Sequence, residues 1–199
     1  MKILAIDCTS SRGSVAVLED GNILEEVVME APDGFDALLF ETIRTLLLRQ
    51  GWTIGSVDCF AAASGPGSFT GVRVGLAAAK SLAEATGRAA IGVSNLQALA
   101  ATGSGELRAV VIDARRGEIY GAVYDRHLNA VVPEVVMLPD EWAKILPSGV
   151  VPFGFDLHPL AGAIAQIAFT RLLAGDTGDP AILDANYVRR SDGGMKWTD

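Results

Sequence analysis

The chain has 199 residues, half of them apolar, with 24 acidic against 16 basic side chains and a net charge of −8. That length and apolar content allow one large or two small domains around a real core. The acidic balance excludes a protein that grips nucleic acid through a basic groove of its own, so any nucleic acid would be held through a partner. The apolar runs are strand-sized, far short of the roughly 20 residues of a membrane span. The opening MKILAIDCTS is too short for a signal peptide, so a cytoplasmic location is expected. Cys8 and Cys59 fall in or beside predicted strands without zinc spacing, which points to reduced thiols.

In chain order, Lys2 to Asp7 reads as a first strand and Gly13 to Leu18 as a second. Asp20-Gly21-Asn22 is a hairpin signal, and Ile23 to Met29 is the third strand. Phe35 to Arg49 carries Leu38, Leu39, Ile43, Leu46 and Leu47 at helical spacing, and Gly51 ends that helix. Val57 to Ala63 is a short buried strand that leads into the turn SGPGSFTGVRVG, residues Ser64 to Gly75. A second helix follows over Thr70 to Thr86, then a strand over Ala90 to Val93. Ser94 caps a third helix, Asn95 to Ala101.

Thr102 to Gly105 reads as a linker, after which the pattern restarts. Strands are predicted over Leu107 to Asp113, Ile119 to Tyr124 and Ala130 to Leu138. A short helix from Pro139 to Leu146, a strand from Val150 to Phe153, a helix from His158 or Pro159 to Leu173 and an irregular tail from Ala181 to Arg190 complete the chain. AIDCTSSRGSVAVLEDGNI and VIDARRGEIYGAVYDRHLN share one order: apolar strand, Asp, basic turn, Gly, strand, turn, strand. This points to a duplicated meander in an α/β chain, with an N-terminal lobe over residues 1–103 and a reduced C-terminal lobe over 104–199.

The glycine turn is the most particular local feature. Pro66 and Gly67 suit a tight turn, and Ser68 or Thr70 can cap the helix that follows. A helix start attracts anions, yet the stretch lacks the lysine of a Walker loop and the spacing of a dinucleotide fingerprint. Arg73 opposes the helix dipole, which leaves an anion contact, a partner carboxylate and a solvated side chain as open readings. Gly71, Gly75, Ala79 and Ala83 recur every fourth residue, and glycine inside a helix costs up to about 1 kcal/mol against alanine. Close packing within the fold and packing against another chain both account for that row. Asp7 and Asp113 end the first strand of each meander, with Thr9 beside Asp7. Asp7, Thr9, Ser68, Thr70, Arg73 and Asp113 are therefore the candidates for contact with a nucleotide or other phosphate. The two histidines, His127 and His158, have no second ligand at useful spacing, so no metal site is expected. No catalytic base or nucleophile stands out.

The blocks SGPGSFTGVRVGLAAAKSLAEATG, IDCTSSRGSVAV, IGVSNLQALA and VIDARRGEIYGAVYD, with the tail NYVRR, resemble the TsaB (YeaZ) family. The resemblance covers most of residues 1–125 and, weakly, the rest. It implies a two-lobed actin-like, Hsp70-type ATPase fold of the ribonuclease H-like kind. It also implies a role in forming N6-threonylcarbamoyladenosine in tRNA, as the non-catalytic partner of the paralogue TsaD, with the ATPase TsaE joining the complex. The first two helices would then form the contact with TsaD or with a second copy of the chain. Leu38, Leu39, Ile43, Leu46, Gly71, Gly75, Ala79 and Ala83 would be the interface residues. No cofactor is expected in the isolated chain, with ATP or ADP possible only at the partner interface, and tRNA is met only through the complex. The family's usual His-Ser-Glu segment is replaced by Pro32-Asp33-Gly34-Phe35-Asp36. Two alternatives follow from the same superfamily and its older naming: a small ATP-dependent phosphotransferase, and a glycoprotease-like (M22) metallopeptidase that the missing histidine pair disfavours.

Overall fold

A computed structural model describes residues 1–30, 34–35, 38–154 and 159–188. Most of the Pro32–Asp36 stretch, His158, Arg189 and Arg190 lie outside the described residues. Among the described residues, two sheets and five α-helices make up an α/β fold. The first sheet is built from β1 (Lys2–Asp7), β2 (Arg12–Glu19), β3 (Asn22–Glu30), β4 (Cys59–Gly65) and β5 (Ala89–Ser94). Its order is β3-β2-β1-β4-β5, antiparallel through the meander and parallel from β1 to β4 and β5. The second sheet repeats the start of this plan with β6 (Leu107–Arg115), β7 (Glu118–Asp125), β8 (Ala130–Met137) and the two-residue β9 (Phe153–Gly154), in the order β8-β7-β6-β9. Both sheets thus begin with the same three-stranded antiparallel meander.

The meander forms because its turns suit its strands. Asp20 and Gly21 both take positive φ, 49° and 83°, as a two-residue hairpin requires. Alternate residues of β1 then face opposite sides, and both sides are buried, so the strand reads as an unbroken apolar run. Leu4 and Ile6 join Val15, Val17, Phe60 and Ala62 beneath α1 (Leu39–Arg49) and α2 (Phe69–Thr86). Ile3 and Ala5 join Ala16, Leu18 and Ala61 on the other side, in a core that continues into Val110, Ala122 and Tyr124 of the second sheet.

That second core is covered by two helices that cross between the sheets. The short α3 (Asn95–Thr102) follows β5 but packs on β6 and β7. The last helix, α5 (Ala161–Leu173), packs on β1 and β2. Its first amides are held by the first sheet: Ala161 N–H donates to Ser14 Oγ at 3.0 Å and Gly162 N–H to Glu26 Oε1 at 3.1 Å. The remaining helix, α4 (Pro139–Ile145), sets Trp142 on the outer side of the second sheet.

Most expected elements are present, with shifted ends. The first helix begins at Leu39 rather than Phe35, the last at Ala161, and the late strand shrinks to Phe153–Gly154. Two 3-10 turns, Ile54–Ser56 and Pro180–Ile182, lie in stretches that periodicity leaves blank. No helix of the described residues is long and apolar enough to cross a membrane.

Candidate functional site

The glycine turn is packed against the end of β1. Gly65 takes φ 100° and enters Pro66. Ser68 N–H donates to Thr9 O at 2.7 Å, and Gly71 N–H donates to Ser68 Oγ at 3.2 Å. A Cβ on Gly67 would lie 2.8 Å from Thr9, and one on Gly71 only 1.8 Å from Cys8 O. Asn95, fully buried at the start of α3, completes the hub: its Oδ1 accepts from Gly65 N–H at 2.9 Å and its Nδ2 donates to Thr9 Oγ1. Two of the amides that a phosphate would need at this helix start are therefore already spent within the chain. Thr70 is exposed beside them.

Asp7 sits in this hub and is 2% exposed. Its Oδ1 accepts from Thr9 N–H at 2.9 Å and from Thr9 Oγ1 at 2.6 Å. Burial pushes its carboxyl above the usual carboxylate range, the Thr9 hydrogen bonds oppose that rise, and the charge of Glu26 adds to it. Burial also drives Cys8 up to about 12, with Asp7 contributing, and Cys59 to about 12. Neither thiol is a nucleophile at neutral pH.

Asp113 repeats the local motif without the setting. Its Oδ1 accepts from Arg115 N–H at 2.7 Å, two residues on, as Asp7 accepts from Thr9. The Asp113 side chain is 68% exposed, whereas Asp7 is 2% exposed. Arg73, for which the sequence leaves an anion contact, a partner carboxylate and a solvated side chain as open readings, makes local contacts. Its guanidinium lies 3.7 Å from the Phe69 ring centroid and donates to Tyr187 Oη at 3.2 Å.

Glu134, Asn186 and Tyr187 are absent from the sequence-based site. Glu134 on β8 accepts from Ser94 Oγ of the first lobe, from Tyr124 Oη at 2.7 Å and from Asn186 Nδ2 at 2.6 Å. Burial, then the Glu134 charge, pushes the Tyr124 phenol well above its usual range. Asn186 N–H also donates to Ser64 O at 2.8 Å, so the tail ties the glycine turn to the second lobe. The available signal was Glu134 itself, a lone carboxylate between valine pairs in AVVPEVVM.

The expected interface residues need correction. Leu39, Ile43 and Leu46 are at most 4% exposed and fill the core under α1. Gly71, Gly75, Ala79 and Ala83 are buried against the sheet, because the row faces β1 and β4 rather than solvent. Leu38 alone of the eight is exposed. The outward side of the same helices carries Phe40 and Leu48 on α1, 54% and 62% exposed, and a second small row on α2, Ala77, Ser81 and Ala85.

Among the described residues, no three His, Cys, Asp or Glu side chains gather as a metal-holding group. His127 lies exposed in the β7–β8 turn.

A family model described as "TsaD: tRNA N6-adenosine threonylcarbamoyltransferase" matches residues 30–171. The chain is 35% identical over 164 residues to the tRNA threonylcarbamoyladenosine biosynthesis protein TsaB of Escherichia coli (strain K12), covering 73% of this chain and 71% of that one. It is 30% identical over 151 residues to the Bacillus subtilis (strain 168) protein of the same name, covering 73% of this chain and 66% of that one. The solved structure of YeaZ from Pseudomonas aeruginosa superposes with a TM-score of 0.81 at 26% identity, over 94% of this chain and 99% of that one. The duplicated meander, the glycine turn packed on β1 and these matches agree, and the chain belongs to the TsaB (YeaZ) family.

Proposed function

We propose that this chain serves tRNA threonylcarbamoyladenosine biosynthesis as a non-catalytic subunit, docking a TsaD-type transferase through the outer sides of α1 and α2. The relatives named TsaB support the process. The observation that carries the docking face is the pairing of exposed Phe40 and Leu48 with the outward Ala77–Ser81–Ala85 row. Aromatic and aliphatic anchors beside small residues let a partner helix approach closely and bury its own apolar side. A second copy of this chain could use the same face, and TsaE would join the assembled pair. The non-catalytic reading draws on the hub at Asp7, where the neighbouring polar groups are committed to one another, and on thiols held protonated.

The test is a pull-down and sedimentation measurement with the cognate TsaD protein, followed by modification of tRNA in a reconstituted reaction. Phe40→Asp with Leu48→Asp is expected to weaken the complex by about 2 kcal/mol or more and to cut tRNA modification in proportion. The same variant keeps the melting temperature of the isolated chain, because both side chains already face solvent. A complex of undiminished affinity would refute the assigned face. Threonylcarbamoyl transfer by the isolated chain would refute the non-catalytic reading.

A further inference from the structure

On the side away from α1 and α2, a cavity of about 490 Å³ opens between α3, α5 and the β7–β8 turn. Its volume is in the range of small-molecule sites, about 300–1,000 Å³. Arg108, Arg126, His127 and Arg171 line it, with Gln97 and Gln166, and no carboxylate is among the lining residues. Three arginines without a carboxylate are a local inversion in a chain of 24 acidic and 16 basic residues.

The charges around the cavity differ in how they are matched. Arg171 is neutralised by Asp176 at 2.6 Å and also donates to Gly92 O. Arg126 reaches Glu106 at 3.4 Å, a pair whose side chains are 58% and 79% exposed and which is worth little in water. Arg126 Nε also donates to His127 Nε2. Asp125 is occupied in closing its own turn, accepting from the His127 and Asn129 amides at 2.8 Å. Arg108 donates only to the carbonyls of Gly105 and Ala100 and has no ion pair among the described residues. The Gln166 side chain makes no hydrogen bond among the described residues. Leu128 and Ile167 supply an apolar wall.

We infer that this cavity binds a small phosphate monoester of nucleotide size. One uncompensated arginine and one loosely paired arginine match a dianion better than a single carboxylate, and guanidinium geometry suits phosphate oxygens. The phosphate meets Arg108 and Arg126, Gln166 donates to an ester or hydroxyl oxygen, and the organic body lies on Leu128 and Ile167. Because α3 and α5 cover the opposite side of the first sheet from α1 and α2, occupancy is independent of the docking face.

The experiment is calorimetry and amide NMR on the full chain with adenosine 5′-monophosphate, adenosine and inorganic phosphate as probes. The monophosphate is expected to bind, with shifts confined to residues around Gln97, Arg108, His127 and Gln166. Adenosine and inorganic phosphate each bind more weakly. Gln166→Glu places a carboxylate in the cavity on an exposed helix position, so the fold is kept and binding falls by about tenfold or more. Arg108→Gln is the second variant, with melting recorded alongside because Arg108 also holds the end of α3. Absence of monophosphate binding at millimolar concentration, equal binding of adenosine or of inorganic phosphate, or unchanged binding in Gln166→Glu would each overturn the assignment.

Discussion

Gly71 and Gly75 stand four residues apart on the same face of one helix, yet alanine should act on them with opposite sign. A Cβ at Gly71 would lie 1.8 Å from Cys8 O and 2.9 Å from the carbonyl carbon, both backbone atoms at the end of a central strand. Ordinary contact begins near 3.4 Å, so β1 and α2 would have to part by more than an ångström, against the Ser68–Thr9 hydrogen bond that holds them. Overpacking of that kind costs about 1–3 kcal/mol, and the helix-propensity gain of up to about 1 kcal/mol does not offset it near the helix start. At Gly75 the nearest atoms are Ile6 Cγ2 at 3.7 Å and Cys8 Cβ at 3.9 Å, which a methyl group meets in ordinary contact. There alanine gains the propensity and some buried area. Thermal unfolding of the two variants should place Gly71→Ala several degrees below the parent and Gly75→Ala about 2–4 °C above it, at the slope expected for a chain of this size. Two variants moving together, or Gly71→Ala matching the parent, would show that the row does not pack as described.

Glu134→Ala removes the acceptor of three donors and should lower unfolding free energy by about 3 kcal/mol in urea titration, whereas Glu134→Gln keeps Oε1 for Ser94 and Tyr124, loses only the Asn186 bond and should cost about 1 kcal/mol. Equal losses would mean that the Ser94 and Tyr124 bonds contribute nothing of their own. Asp7→Asn should stabilise the chain at neutral pH. The folded Asp7 carboxyl is raised, so the fold retains its proton longer than the unfolded chain, and stability is lost as pH climbs from the ordinary 3.8 through the folded value. The advantage of the asparagine variant should therefore shrink on acidification and vanish below 3.8; a constant gap between pH 4 and pH 8 would contradict the buried carboxylate.

The sequence was most legible where structure is local. The first meander is readable because Asp20-Gly21 dictates the hairpin and β1 alternates between two apolar sides. The repeat of that plan in β6 and β7 is readable for the same reason, down to an aspartate accepting the amide two residues on. The helix crossing is not readable, since nothing in the spacing of α3 says that it packs on β6 and β7 as well as on the sheet that precedes it. The interface residues failed in an instructive way. Spacing identifies which residues share a helix face but not what that face meets, and Ala77, Ser81 and Ala85 repeat with the same period as the buried row. Of the polar hub, Asp7 and Thr9 were legible from the strand end, whereas Asn95 resembled an ordinary first helical residue after its Ser94 cap, and Glu134 required a contact across 40 residues.

The crossed helices bear on how such a fold can work. A two-lobed protein that acts on a ligand in its cleft commonly does so by hinge or shear of one lobe against the other. Here the core runs unbroken from Ile3 and Ala61 of the first sheet through Leu96 and Ile164 to Val110 and Tyr124 of the second. Opening the lobes would expose that core, break the Ser94–Glu134 bond and cut the link from Ser64 through Asn186 to Glu134. Packed interiors resist continuous deformation, so these links favour one fixed arrangement of the lobes. A rigid body of this kind is suited to presenting constant surfaces, with the outer sides of α1 and α2 on one side of the first sheet and the arginine-lined cavity on the other. This supports reading the chain as a docking subunit whose partner performs the chemistry.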